Sequence, residues 1–415
     1  MIRFLLFPLL LLLVGGCDPS LTLDTTGTHL VVGQTGHIRV IAGAGDATLL
    51  PDTLTLTDTG GRSFNASALA AKAVSDDTLE LVVPMGIAPG RADLRVDTSQ
   101  GFPFTGKLQI TRLVALRDLA GKVWVLALPE AGAMNQYLDI APGTKGMGKG
   151  AGEVAISPDG KLLASSARAI WRVYLSWTGD HPMQNFVQLT REVVALTVTS
   201  THHTLVATDK GVHYISPPAK RTDTLALGKT TLATGNTLAL ASARNAKEAV
   251  AFSSNDSGSG SNYKLFRLSL TGSDPTMATQ DDISWAVQAG NKFSVAMTHD
   301  GNSSLVTNMA GHRINLIMKG NKSSVALPTG QRGPISIAAG LGGVFYVLNQ
   351  TSRNISVVKI VGNNLKVESP IDLGLSASSG KPLQLSMSDN GELVVLAERD
   401  VVLVYPKSGS VSVMK

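Results

Sequence analysis

The chain has 415 residues, 43% hydrophobic and 16% charged, with 42 Gly, a single Cys and a net charge of +5. That length suits two or three domains, and few charges with abundant Gly, Ser, Thr, Val and Leu favour strands over long surface helices. The positive charge is spread in pairings as short as Lys220-Arg221 and never interleaves with aromatics, which argues against nucleic-acid binding. One cysteine excludes an internal disulfide and any cysteine metal cluster.

The chain opens on "FLLFPLLLLLVGGCDPS". Arg3 supplies a minimal positive region, and Phe4 to Val14 is an apolar core of signal-peptide length, too short to span a bilayer as a stable helix. No later segment approaches ~20 uninterrupted apolar residues, so no transmembrane helix is expected. The run Val14-Gly15-Gly16-Cys17 resembles a bacterial lipobox. That resemblance implies a signal peptide over residues 1–16, a Cys17 that carries acyl chains such as palmitate, and a membrane anchor. More than one chain, at about 0.8 kcal/mol per buried CH₂, holds stably. Asp18 directly after the cysteine is similar to the sorting signal that retains some lipoproteins in the inner membrane. The competing reading is an ordinary secretory signal with a chance cysteine.

Short β-runs follow: "THLVVGQ", "HIRVIAGAG", "DTLTLTD", "TLELVVP" and "RADLRVD", each closed by Gly, Pro, Asp or Asn. They fit one immunoglobulin-like sandwich over residues 17–110. "TLELVVPMGIAPGRADLRVDTSQG" resembles the IPT/TIG-type Ig-like fold, with a strand, a Pro-Gly turn and a closing strand. This module is expected next to the membrane, holding the rest of the chain off it.

From residue 113 to 415 the chain repeats. Seven hairpins follow one another, from "LVALRDLAGKVWVLAL" to "LVVLAERDVVLVY". Six are preceded by a further apolar strand and a turn, clearest in "VAISPDG", "VAMTHDG" and "LSMSDNG". Asp159-Gly160, Asp300-Gly301 and Asn390-Gly391 are tight-turn signals. Four strands per unit at roughly 43 residues is the period of a propeller blade. "VAISPDGKLLAS" resembles the YVTN or WD40-like blades of bacterial propellers, which specifies fold and not activity. The expected fold is therefore all-β, an Ig-like sandwich followed by a seven-bladed propeller. The first unit lacks a clear innermost strand, which leaves six blades or an irregular closure as alternatives, and a stack of sandwiches is the other architecture.

Candidate chemistry is sparse. "GTKGMGKG" (143–150) nearly spells a phosphate-binding loop, but Gly150 stands where Ser or Thr should bind magnesium and a strand follows instead of a helix. His202 and His203 point to opposite faces of a strand, and closing the next hairpin near Lys210 sets His213 opposite Val206 or Thr208, so the three do not form a metal site. The loops "SWTGDHPMQ", with Asp180-His181, and "SSNDSGSGSN" read as surface loops, the second with too few carboxylates for calcium. No G-x-S-x-G elbow is present. Glu153 and Glu192 each precede the innermost strand of a blade, near one channel mouth, and are the candidate catalytic carboxylates.

The expected function is a lipid-anchored bacterial envelope lipoprotein, facing the periplasm from either membrane, with the inner one favoured by Asp18. Its propeller serves as a platform for a protein partner, without cofactor, metal or nucleic acid. The rival is a hydrolytic, lactonase-like propeller enzyme acting at the channel mouth. A third reading, glycan binding through loop residues such as Trp177 or Trp285, has little support from four Trp in the chain.

Overall fold

A computed structural model describes the chain in short stretches between residues 22 and 41 and almost throughout from residue 48. The segments 1–21, 24–29, 32–34, 42–47, 118–122, 129–135, 141–152, 157–161, 174–182, 217–232, 256–261 and 284–292, with a few shorter ones, lie outside the described residues. Cys17, Asp18, the 143–150 loop, Asp159-Gly160, Trp177, Asp180-His181, His202, Trp285 and Asn390 therefore lie outside them too. Among the described residues no helix is long and apolar enough to cross a membrane.

The first strands are β1 (Thr22–Leu23), β2 (Leu30–Val31), β3 (Thr35–Ile41), β4 (Thr55–Thr57), β5 (Ser63–Asn65), β6 (Lys72–Ser75), β7 (Thr78–Val82), β8 (Gly90–Asp97) and β9 (Pro103–Arg117). They form two sheets, one in the order β1-β3-β7-β6 and one in which β9, β8, β4 and β5 are neighbours. In β8 the residues Ala92, Leu94 and Val96 are buried while Arg91, Asp93 and Arg95 are exposed, the alternation of a sheet with one wet face. The two inner faces share one apolar cluster, with Ile38, Leu79 and Leu81 from one sheet and Leu56, Leu94, Val96 and Phe104 from the other. Each such side chain contributes about 1.5–3 kcal/mol when taken out of water.

β9 then continues without interruption into a second architecture. Its first half, Pro103–Ile110, pairs with β8, and its second half, Arg112–Arg117, pairs with β10 (Val123–Leu128). β11 (Gln136–Ile140) pairs with β10 and completes a three-stranded group among the described residues. Six further antiparallel sheets follow in strict chain order. They are β12 to β15 (Val154–Ile156, Leu162–Ser166, Ala169–Val173, Met183–Gln188) and β16 to β19 (Ala195–Val198, Thr204–Thr208, Gly211–Ile215, Ala233–Thr234). Next come β20 to β23 (Asn236–Ser242, Glu248–Asn255, Asn262–Ser269, Thr276–Asp282) and β24 to β27 (Phe293–Met297, Ser303–Asn308, Arg313–Met318, Asn321–Ala326). The last two are β28 to β32 (Pro334–Ala339, Val344–Asn349, Asn354–Val361, Asn364–Val367, Ile371–Asp372) and β33 to β36 (Pro382–Met387, Leu393–Ala397, Val401–Tyr405, Ser410–Met414).

The first strands of these sheets touch in sequence, β12 to β16, β20, β24, β28 and β33, and β9 touches both β12 and β33, so the sheets close into a ring. The physical signature of the ring is burial on both faces of each sheet. In β34, Val394 and Leu396 pack toward β9 and β10, while Leu393 and Val395 pack toward the preceding sheet. The strands β17, β25 and β34 are buried at every residue, which explains unbroken apolar runs such as "LVVLA". The core is consequently divided into one cluster per border between sheets. Phe252, fully buried, stacks on Tyr263 at 5.6 Å and meets Phe293 of the next sheet at 5.0 Å.

The direction of β9 sets it apart. Neighbouring first strands run parallel: Thr197 of β16 meets Ser242 near the end of β20, and Ser336 of β28 binds both N–H and C=O of Leu385 in mid-β33. Arg117 ends β9, yet it lies beside Gln384 near the start of β33 and Glu153 just before β12. The same relation joins Gln350, after second strand β29, to Pro382 at the start of β33. β9 thus has the polarity of a second strand, and "LVALRDLAGKVWVLAL" is the second and third strand of a unit whose inner position is taken by β9 itself. No described strand pairs with the other edge of Arg112–Arg117.

Candidate site at the mouth of the ring

Arg117, Glu153 and Gln384 meet at the end of the ring where the first strands begin. Arg117 Nη2 donates to Glu153 Oε1 at 3.1 Å, and the Arg117 backbone N–H donates to Gln384 Oε1 at 3.0 Å. Glu153 is fixed by main-chain bonds to Ser165 in β13, its N–H donating to Ser165 Oγ and its carbonyl accepting from Ser165 N–H, both at 2.8 Å. The carboxylate is thereby held while its side chain stays 28% exposed. Burial pushes the Glu153 carboxyl above the ordinary carboxylate range, and the charge and hydrogen bond of Arg117 pull it partly back. An ionised Glu153 therefore depends on Arg117, and as a base it would have to leave that partner.

Glu192 precedes β16 at the same end and is exposed. No hydrogen bond or ion pair joins it to Glu153 among the described residues. Beside it Arg191 pairs with Asp209 at 3.3 Å across exposed side chains, a contact of about 0–1 kcal/mol. Glu153 and Glu192 thus each precede a first strand without forming a pair.

The histidines separate. His213 lies opposite Val206, as a turn at Asp209-Lys210 requires, and burial lowers its proton affinity. His203 is buried, its Nδ1 3.0 Å from Thr201 Oγ1 and its ring edge-on to Tyr214 at 6.2 Å. Among the described residues no three His, Cys, Asp or Glu side chains converge as metal ligands do. The sequence reading missed Arg117 and Gln384. Arg117 sits in a strand run with no local signal, and only ring closure brings it to residues 36 and 267 positions away.

No protein-family model matches the chain, and no curated protein matches it. Several solved structures do. A Lactobacillus plantarum protein superposes at a TM-score of 0.51 with 12% identity, over 73% of this chain and 94% of that one. A candidate 6-phosphogluconolactonase from Bacteroides fragilis gives 0.50 with 11% identity, over 73% and 93%. Another from Bacteroides uniformis gives 0.50 with 12% identity, over 70% and 90%. At such identities the likeness is one of fold alone. With the closed ring of antiparallel sheets, it makes this an almost entirely β protein with a propeller-like architecture.

Proposed function

We propose that the protein is a lipid-anchored lipoprotein of the bacterial cell envelope, in which an Ig-like sandwich over residues 17–110 carries a seven-bladed propeller over 113–415 as a protein-interaction platform. The observation that carries this reading is strand β9, uninterrupted from Pro103 to Arg117, which enters the ring from one end and finishes at the other. The sandwich is thereby joined to one face of the ring, and the face bearing Arg117, Glu153 and Glu192 turns away from it. β1 begins at Thr22, a few residues after the proposed lipid site Cys17, a spacing that supports a sandwich close to the bilayer. The contacts of β9 with β12 and β33, alongside the six first strands, support the count of seven blades.

The test is Cys17→Ser. The variant is expected to leave the membrane fraction or stall before maturation, and processed variant that stays membrane-bound would overturn the anchor. Cross-linked membranes solubilised and captured through the intact chain should return a reproducible partner, and none above background would overturn the platform. A second reading, a hydrolytic lactonase-like enzyme using Glu153 at the channel mouth, draws support from the two candidate 6-phosphogluconolactonases among the similar structures. Lactone hydrolysis by the purified chain, abolished by Glu153→Gln, would favour it.

A further inference from the structure

We infer that the ring opens and closes at its first sheet, and that the sandwich controls this seam because one strand belongs to both. The six later sheets are each built from consecutive strands, and several of their borders carry polar ties of their own. Arg267, 3% exposed in its side chain, donates to the carbonyls of Gly301, Asn302 and Ile317 in the next sheet. His299 Nε2 lies 3.2 Å from the Ala339 carbonyl, and Ser336 clamps Leu385 from both sides. The first sheet differs. Its strand β9 also belongs to the sandwich, and among the described residues no strand is exchanged between the last sheet and the first. Its border with the last sheet packs Val114, Leu116 and Leu126 against Val394, Leu396 and Leu403.

Arg117 carries polar ties across both borders of that sheet, to Gln384 on one side and Glu153 on the other. It is also the last residue of β9. An extended strand does not shorten, so a shift of the sandwich by an ångström or two along β9 moves Arg117 by the same amount and strains both hydrogen bonds together, since such bonds weaken steeply beyond ~3.2 Å. Load or binding at the sandwich is then coupled to opening of the ring, and by linkage anything that holds the seam closed steadies the ring half of β9.

The test is hydrogen exchange on the full chain. Peptides covering Leu113–Arg117 and Val123–Leu128 are expected to exchange at least tenfold faster than β25 and β29. Gln384→Ala should raise exchange there about tenfold and leave β24 to β27 unchanged. Val96→Ala, which loosens the sandwich without a large cavity, should raise exchange at Leu113–Arg117 as well as at Phe104–Ile110. Inserting Gly-Gly after Thr111 should remove the effect of Val96→Ala at Leu113–Arg117 and keep its effect at Phe104–Ile110. Exchange at Leu113–Arg117 that ignores Val96→Ala, or that responds equally with the insertion present, would overturn the inference. If Val96→Ala fails to fold, the insertion alone decides: unchanged exchange at Leu113–Arg117 would mean that the sandwich exerts no hold on the seam.

Discussion

Arg117 and Glu153, 36 positions apart, meet at 3.1 Å across the border between the first and second sheets of the ring, each about one-third exposed or less. Removing the cation leaves a half-buried carboxylate without its partner. Arg117→Met is expected to cost about 1–2 kcal/mol at pH 7, less than for a fully buried pair because water still reaches the site.

The pH dependence follows from the direction of the Glu153 shift. Its carboxyl binds protons more readily in the folded chain than in the unfolded one, so its contribution is favourable at acid pH and is lost as pH rises through the raised value. Without Arg117 the carboxyl is pushed further in the same direction. The difference in unfolding midpoint between wild type and Arg117→Met should therefore widen from pH 4 to pH 8. Glu153→Gln should flatten the profile and cost less than about 1 kcal/mol. Equal losses at both pH values would contradict this account.

Arg267 is a different kind of tie. Burial depresses the proton affinity of its guanidinium, Glu248 at 3.6 Å opposes that, and three carbonyls of the next sheet accept from its Nη atoms. Arg267→Met removes the donors and leaves buried carbonyls to find new ones, at about 2–4 kcal/mol. Arg267→Lys should restore little of the loss, since a compact ammonium cannot reproduce the planar fork. Urea unfolding midpoints of the two variants decide, and full rescue by Lys would refute the geometric part.

Phe252 is fully buried between two sheets, stacked on Tyr263 and touching Phe293. Phe252→Ala should cost about 3–5 kcal/mol. Because the core is divided by borders, increased exchange should concentrate in β20 to β27 and leave the sandwich untouched, a pattern that uniform loosening would rule out.

Gly333 has φ 78°, and a Cβ at this position would lie 2.9 Å from the Thr351 backbone nitrogen. Gly333→Ala combines left-handed strain with a backbone clash and should cost more than about 1–2 kcal/mol. By contrast Gly374 (φ 61°) has open space around a built Cβ, so Gly374→Ala should cost only the strain. Comparable midpoints for the two variants would show that the clash is relieved by loop movement.

Much of the architecture was legible locally. The period-2 run "RADLRVD" reads as a half-exposed strand, and β8 alternates as that pattern requires. The unbroken run "LVVLA" reads only as an apolar strand, because burial on both faces erases the alternation that marks a face. Asp300-Gly301 forms its turn, with Gly301 at φ 76° and Asp300 accepting from the Asn302 N–H at 3.0 Å. Glu153 and Glu192 could be placed before first strands from spacing alone, since strand order along the chain is also the order around the ring.

What the sequence determined by itself is what short-range physics controls: strand identity, hairpin pairing, the repeat, and the lipobox-like run around Cys17 that motivates the proposed anchor. Tertiary structure alone decided the partners of β9. The repeat suggests a boundary between residues 110 and 113, but "PFTGKLQITRLVALR" has no turn residue at that point, and nothing local says that one unbroken strand crosses it. Nor could spacing reveal that Arg117 would bind both Glu153 and Gln384, because a ring brings its last sheet to its first only on closing, and closure depends on packing summed over every border.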